Sequence, residues 1–246
     1  MSKKVALVTG GTGGIGTAIC QRLANEYQVV ACYFKHGNHE EAKHWQEEQK
    51  KQGFDIDIIY GDVAQFSDCE KLTAAIIERY GHIDVLINNA GVTQDCSLRK
   101  MSPEQWQQVL DANLTSVFNM TRNVIPHMLD KGYGRIVSIS SINGRKGQFG
   151  QCNYASTKSA LFGFTKSLAL EVASKGVTVN TISPGYIETS MLSSLKQEIL
   201  TAIIDNIPVG RLGRASEIAD AVAFLVAEDS GFITGANLDI NGGQYM

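Results

Sequence analysis

The stretch ALVTGGTGGIGTAI at residues 6–19 runs from a short apolar segment into glycines at 10, 11, 13, 14 and 16, and then resumes apolar spacing. That order reads as strand, tight turn, helix. Glycines lack the Cβ that would block a sharp turn or the close approach of a ligand, and the helix that follows aims unpaired N–H groups back at the turn. A pyrophosphate suits such a cradle. Gly11, Gly13 and Gly16 match G-x-G-x-x-G, while Thr9, Gly10, Gly14 and Gly16 match the wider T-G-x-x-x-G-x-G. A glycine-rich string is weak evidence alone, but its place between a strand and a helix makes it strong. Gly10, Thr12, Gly13, Gly14, Ile15 and Gly16 are therefore expected to line a dinucleotide site.

Similar β-branched runs recur along the chain: KVALVT, YQVVACYF, DIDIIYG, IDVLINNAG, GRIVSIS, VTVNTIS and NLDING. Longer segments with helical spacing separate them. The alternation predicts βαβ units around a buried, mainly parallel sheet of seven strands, an α/β fold. No proline-rich linker, low-complexity tract or repeat interrupts it, so residues 1–246 are read as one domain. Pro103, Pro184 and Pro208 fall at plausible helix starts or loops, whereas Pro126 is placed to kink a helix. Lys175 and Gly176 look like a helix end, with a strand beginning at Val177.

With 43% hydrophobic and 19% charged residues the composition is that of a soluble globular protein. A net charge of −3 and a pI near 6.0 leave no broad basic field for nucleic acid. The five cysteines are scattered and form no C-x-x-C pair, which favours reduced thiols over disulfides or zinc. The apolar run Val5–Val8 is too short for a signal peptide or a membrane span, so a cytoplasmic protein is expected. Two helical segments, Leu114–Leu129 and Ala155–Val172, carry apolar residues on more than one face. The surplus (Val117, Phe118, Met120, Val124, Ile125 and Met128; Leu161, Phe162, Phe164, Leu168 and Leu170) points to a subunit interface, with deep burial inside the chain as the alternative.

At the end of the second strand an acidic residue would bind a ribose 2′-hydroxyl and a basic one a 2′-phosphate. Lys35 stands there, with no carboxylate before Glu40, which favours NADPH unless Lys35 is merely solvated. His36, His39 and His44 are irregularly spaced in a polar helix-start region and read as surface histidines rather than metal ligands.

Tyr154 and Lys158, at i and i+4, share one helix face. A short motif of this kind arises by chance, and its company decides: Ser141 at a strand end, Asn113 in what reads as a helix-start region, and the glycine turn. Together TGGTGGIG, NNAG (88–91), Asn113, Ser141, YASTK (154–158) and PGYIET (184–189) resemble, in order and spacing and across essentially the whole chain, the short-chain dehydrogenase/reductase family. The resemblance implies a Rossmann-like, doubly wound fold and a catalytic set of Asn113, Ser141, Tyr154 and Lys158. A ketone that accepts hydride develops alkoxide charge and needs a proton donor, Tyr154, beside a polarising hydroxyl, Ser141. A free phenol titrates near 10, so a neighbouring Lys158 ammonium is expected to lower that value while also reaching the cofactor ribose. By the same resemblance Asn113 holds a water of a proton relay, and a helix N-cap or bend residue is its plainer role. Asp62 and Val63 contact adenine, although Asp62 could simply cap the next helix. Asn89, Ala90 and Gly91 line the cofactor, and Pro184, Gly185, Ile187 and Thr189 reach the nicotinamide. Tetramers are usual in the family, and a small helical lid is expected within about 186–215.

Within the family, NGRKGQFGQCNY and SPGYIET look like substrate-loop segments of acetoacetyl-CoA reductases, relatives of the 3-oxoacyl carrier-protein reductases. Asp95, Ser141, Gln148, Phe149, Gln151, Tyr154 and Tyr186 would then surround the acyl group of an acyl-CoA thioester. Many carrier-protein enzymes read SLAREV where this chain has SLALEV, which puts Leu170 in place of an arginine suited to an acidic carrier. Lys131, Arg135 and Lys166 could substitute. A dinucleotide sensor without activity would have no need of the four catalytic residues together.

Overall fold

Each apolar run forms a strand: β1 (Lys4–Thr9), β2 (Tyr27–Tyr33), β3 (Ile56–Tyr60), β4 (Val85–Asn88), β5 (Gly134–Ile139), β6 (Val177–Pro184) and β7 (Asn237–Ile240). The computed structural model describes residues 3–34, 37–188 and 197–246. The strands build one sheet in the order β3-β2-β1-β4-β5-β6-β7, with every neighbouring pair parallel. This is the Rossmann-like arrangement. The order reverses between β1 and β4, which opens a crevice at the carboxyl ends of those strands.

Both faces of the central strands are buried, so β1, β2 and β4 read as nearly continuous apolar runs, whereas β6 interleaves buried Thr178, Asn180, Thr181 and Ser183. In β1, Ala6 and Val8 point into one core and Val5 and Leu7 into the other. The first core is closed by α1 (Gly14–Ala24), α2 (His39–Lys51) and α9 (Ala215–Val226), through residues such as Ile19, Trp45 and Val222. The second is closed by α3 (Phe66–Tyr80), α5 (Ser116–Lys131) and α7 (Cys152–Val172), through Leu72, Met120 and Ala169. The remaining helices are α4 (Pro103–Leu110), α6 (Ile142–Lys146) and α8 (Gln197–Asp205).

Local chemistry explains the boundaries. Pro103 sits in the first turn of α4 behind a capping box made by Ser102 and Gln105, which satisfies two otherwise unpaired N–H groups. After α7 a short 3-10 turn ends at Gly176, whose φ of 75° closes it, and β6 starts at Val177 as expected. Pro126 lies inside a helix as expected, and α5 continues past it, whereas Pro184 is the last residue of β6 rather than part of a helix start or loop. A larger correction concerns Asn113. It does not start a helix but lies in a π turn (Asp111–Thr115) that joins α4 to α5.

Five of the eleven surplus apolar residues on α5 and α7 are buried within the chain, and Ile125, Phe162, Phe164 and Leu168 are partly buried. Val117, Met120, Val124, Met128 and Leu161 are inaccessible, whereas Phe118 and Leu170 remain 50% and 87% exposed. Among the described residues no helix is long and apolar enough to cross a membrane.

At the amino-terminal edge of the sheet, fully buried Asp84 accepts from the Val5 N–H at 2.8 Å and pairs with Lys131 at the end of α5 and with His82. Asp84→Ala would leave the Val5 donor and the lysine without an acceptor. The expected loss of stability is about 3 kcal/mol, read as a lower denaturant midpoint. Turnover at a permissive temperature should persist, because the crevice lies at the opposite ends of the strands.

Candidate active site

The glycine turn after β1, the segment after β4, Ser141 after β5 and Pro184 at the end of β6 all converge on the carboxyl edge of the sheet. The turn is built by backbone contact. Gly10 has φ 61°, and a Cβ there would lie 3.0 Å from the Ala90 Cα; one at Gly11 would lie 2.7 Å from the Ala31 Cβ. A Cβ at Gly16 would overlap the Gly10 carbonyl oxygen, so buried Gly16 packs helix against turn rather than facing a ligand. Gly13 and Gly14 are exposed. The amino terminus of α1 has neither a side-chain cap nor an acidic residue in its first turn, which leaves its N–H groups for an anion.

Ser141 caps α6, its Oγ accepting from the Asn143 N–H at 3.1 Å, and it hydrogen-bonds the Tyr154 phenol. Lys158 lies one helical turn on, its Nζ 5.6 Å from the Tyr154 ring centre and donating to the Ile139 carbonyl at 2.7 Å. The π turn swings Asn113 inward, where it is fully buried. Its Oδ1 accepts from Val92 N at 2.7 Å, and its Nδ2 donates to Val92 O at 2.9 Å and Thr157 Oγ1 at 3.3 Å. A Cβ at Gly91 would press to 3.1 Å from Asn113 Oδ1 and 3.5 Å from Lys158 Nζ, so glycine keeps this junction open. The four expected catalytic residues thus meet in one cleft.

Their acidity differs from the expectation. Burial raises the Tyr154 pKa, the Ser141 hydrogen bond opposes the rise, and the Asp95 charge adds to it. Burial also lowers Lys158 from 10.5 to about 8. Desolvation disfavours phenolate and ammonium alike, and it is the largest influence on both groups. Tyr154 is consequently held protonated at neutral pH, as a proton donor must be.

Residues 4–200 match the family model described as short chain dehydrogenase. The chain belongs to the short-chain dehydrogenase family. Over 247 residues, covering all of both chains, it is 52% identical to a protein of Cupriavidus necator named acetoacetyl-CoA reductase. It is 48% identical to another of that name from Allochromatium vinosum, over 99% of each chain. A 3-oxoacyl-[acyl-carrier-protein] reductase of Vibrio cholerae is 41% identical over 99% of this chain and 98% of its own.

As a short-chain dehydrogenase the protein is an oxidoreductase that uses a nicotinamide dinucleotide. The uncapped helix start, the glycine cradle and the lysine below Gly91 fit such a group. Asn89 contributes from beneath: its side-chain amide donates to the carbonyls of Thr9 and Gly10 at 3.0 and 3.1 Å and so clamps the turn. Ala90 N donates to Thr9 Oγ1 at 3.0 Å. Asp62 folds back on its own loop, Oδ1 accepting from Ala64 N at 3.0 Å, while the carbonyl of partly buried Val63 is held by Asn119 at 3.1 Å. Asp62 therefore pins a turn and does not cap α3.

Gly185, Tyr186 and Ile187 line a cavity of about 120 Å³ with Ile207, Val209 and Asn241, and Pro184 is buried beside it. Asp95 accepts from Gln151 Nε2 at 2.8 Å, whereas Gln148 and Phe149 point to solvent, Phe149 being 91% exposed. Burial, reinforced by Asp95, raises the Tyr186 pKa. Lys35, His36 and Thr189 lie outside the described residues. His39 is exposed as expected but hydrogen-bonds the Tyr33 hydroxyl at 2.8 Å and packs edge-on to Tyr60.

Several residues that shape the site escaped sequence reasoning. Thr9 ties β1 to the segment after β4 by accepting from Asn89 N and Ala90 N. Ser140 Oγ donates to the Lys158 carbonyl at 2.8 Å, and fully buried Asn153 donates to the carbonyls of Gln94 and Gln105. Only the Thr9 position, within the glycine pattern, carried a signal.

The buried Lys158 ammonium opposes folding. Its pKa is 10.5 unfolded and about 8 folded, so between those values the unfolded chain binds more protons and stability rises with pH. Below 8 the whole penalty is present. Lys158→Met is expected to raise the unfolding free energy at pH 7 by about 2 kcal/mol while abolishing turnover. Denaturant titrations at a series of pH values should show that gain shrinking between 8 and 10.5.

Proposed function

We propose that the protein reduces a 3-oxoacyl thioester, acetoacetyl-CoA to (R)-3-hydroxybutanoyl-CoA, with NADPH. The observation that carries this reading is the pairing of Tyr154 with buried Lys158, whose Nζ lies 5.6 Å from the phenol ring centre, in a chain half identical to proteins named acetoacetyl-CoA reductase. The dinucleotide supplies the hydride. Ser141 donates a hydrogen bond to the 3-oxo oxygen, and Tyr154 gives its proton to the developing alkoxide. Lys158 steadies the resulting phenolate and passes on the replacing proton, with Asn113 fixing the wall through which it arrives. Asp95, Gln148, Phe149, Gln151 and Tyr186 face the acyl and pantetheine portions, and a small helical lid lies within about 186–215. Lys35 receives the 2′-phosphate of NADPH. Exposed Phe118, on α5, meets its copy in a homotetramer.

The second reading, a carrier-protein thioester, rests on the Vibrio cholerae relative. The surface argues for CoA. Leu170 is 87% exposed where an acidic carrier would want a cation, Lys131 is engaged by Asp84, and Arg135 is only 4% exposed. Arg135 spends its guanidinium on the carbonyls of Gly134, Gly176, Ala227 and Glu228. Of the three substitutes only Lys166 is free for docking.

NADPH consumption with acetoacetyl-CoA, a longer 3-oxoacyl-CoA and a carrier-protein thioester should be fastest with acetoacetyl-CoA and slower with NADH. Tyr154→Phe is expected to lower kcat by about 10³ with NADPH affinity retained. Equal rates with NADH would remove the role of Lys35, and full activity of Tyr154→Phe would end the mechanism.

A further inference from the structure

Resting on the reductase reading above, we propose that Asn143 is a positioning residue that couples the serine turn to the substrate-facing side chains, through a chain of amides anchored on Asp95. Asn143 is 8% exposed and sits one residue beyond the turn it supports. Its backbone N–H donates to Ser141 Oγ at 3.1 Å, which occupies a lone pair of that hydroxyl and leaves its proton for a ligand oxygen. Its side-chain Nδ2 donates to Gln151 Oε1 at 2.9 Å, and Gln151 Nε2 donates to Asp95 Oδ2 at 2.8 Å.

The direction of this chain follows from its last member. An ionised carboxylate only accepts, so Gln151 must turn its NH₂ toward Asp95 and its oxygen toward Asn143, and Asn143 must then donate. That leaves Asn143 Oδ1 buried without a protein partner, because turning the amide over would set its oxygen against that of Gln151. The two segments do not need the chain to stay together. Cys96 N donates to the Gly150 carbonyl at 2.8 Å, and Asn153 holds the Gln94 carbonyl. What the side chains add is orientation: they fix the Asp95 carboxylate in the cleft, where its charge bears on both Tyr154 and Tyr186.

The test is a double-mutant cycle on the whole enzyme. KM and kcat are measured with the 3-oxoacyl thioester that the wild type reduces fastest, NADPH affinity by fluorescence, and folding by thermal melting. Asn143→Ala and Gln151→Ala are each expected to raise KM about tenfold, the size of one lost hydrogen bond. The double variant should be no worse than either alone, with NADPH affinity unchanged in all three. Asn143→Asp fills the same space but only accepts, so it competes with Asp95 for the single Gln151 NH₂ and should match Asn143→Ala. A space-filling role predicts instead that it is the milder change.

Multiplying KM effects in the double variant, or a wild-type KM for Asn143→Asp, overturns the proposal. Should Asn143→Ala fail to fold, Gln151→Ala and Asn143→Asp decide by sharing, or not sharing, one KM. A wild type active on a 3-oxoacyl thioester with a failed cycle sinks only this inference. A wild type inert toward every such thioester sinks both readings.

Discussion

A lysine ammonium buried beneath the cleft, with one backbone carbonyl as its acceptor among the described residues, is the constraint around which this structure is organised. Lys158 is 5% exposed and bonds Ile139 O at 2.7 Å. Such a cation is unfavourable in an interior of low polarity, so the surrounding fold must hold it there. It does so from several directions. Ser140 at the end of β5 grips the Lys158 carbonyl, Gly144 of α6 lies so close that a Cβ would come within 2.8 Å of the Lys158 carbonyl carbon, and Gly91 leaves the space above the ammonium empty. Local stability is given up where the chemistry needs a charge that unbound protein does not.

The same burial explains why the tyrosine is not an acidic phenol by default. Hydrophobic enclosure raises it, and the opposing hydrogen bond comes from Ser141 rather than from the lysine. In the direction of reduction this is useful, because a donor that has already lost its proton has nothing to give. Acidity in the sense the sequence suggested depends on charge that appears only when a reacting ligand is present, which is the ordinary logic of a preorganised site.

Positioning in this cleft is done largely by amides. Asn89 clamps the glycine turn, Asn113 bridges both backbone atoms of Val92, and Asn153 gathers the carbonyls of Gln94 and Gln105. An amide offers donor and acceptor on one short, rigid group, so each can tie two loops from different strand ends without adding charge to a site that already contains a lysine and an aspartate. Loops that would otherwise move independently are thereby joined to the rigid sheet.

Read alone, the amino-acid sequence determined the seven strands, their parallel pairing into an α/β sheet, the helix-opening glycine turn and the shared helix face of Tyr154 and Lys158, because each is written in local spacing: apolar runs, missing Cβ atoms, one helical turn between two side chains. It could not disclose the π turn at Asp111–Thr115, since nothing in DANLT marks a shifted hydrogen-bond ladder. Nor could it separate Gly16, which packs, from Gly13 and Gly14, which face outward, or show that Arg135 is consumed by four carbonyls. Only the tertiary structure decided these, together with the opposite pKa shifts of Tyr154 and Lys158. Desolvation and long-range hydrogen bonds depend on which distant segments the fold brings together, and no window of sequence contains that information.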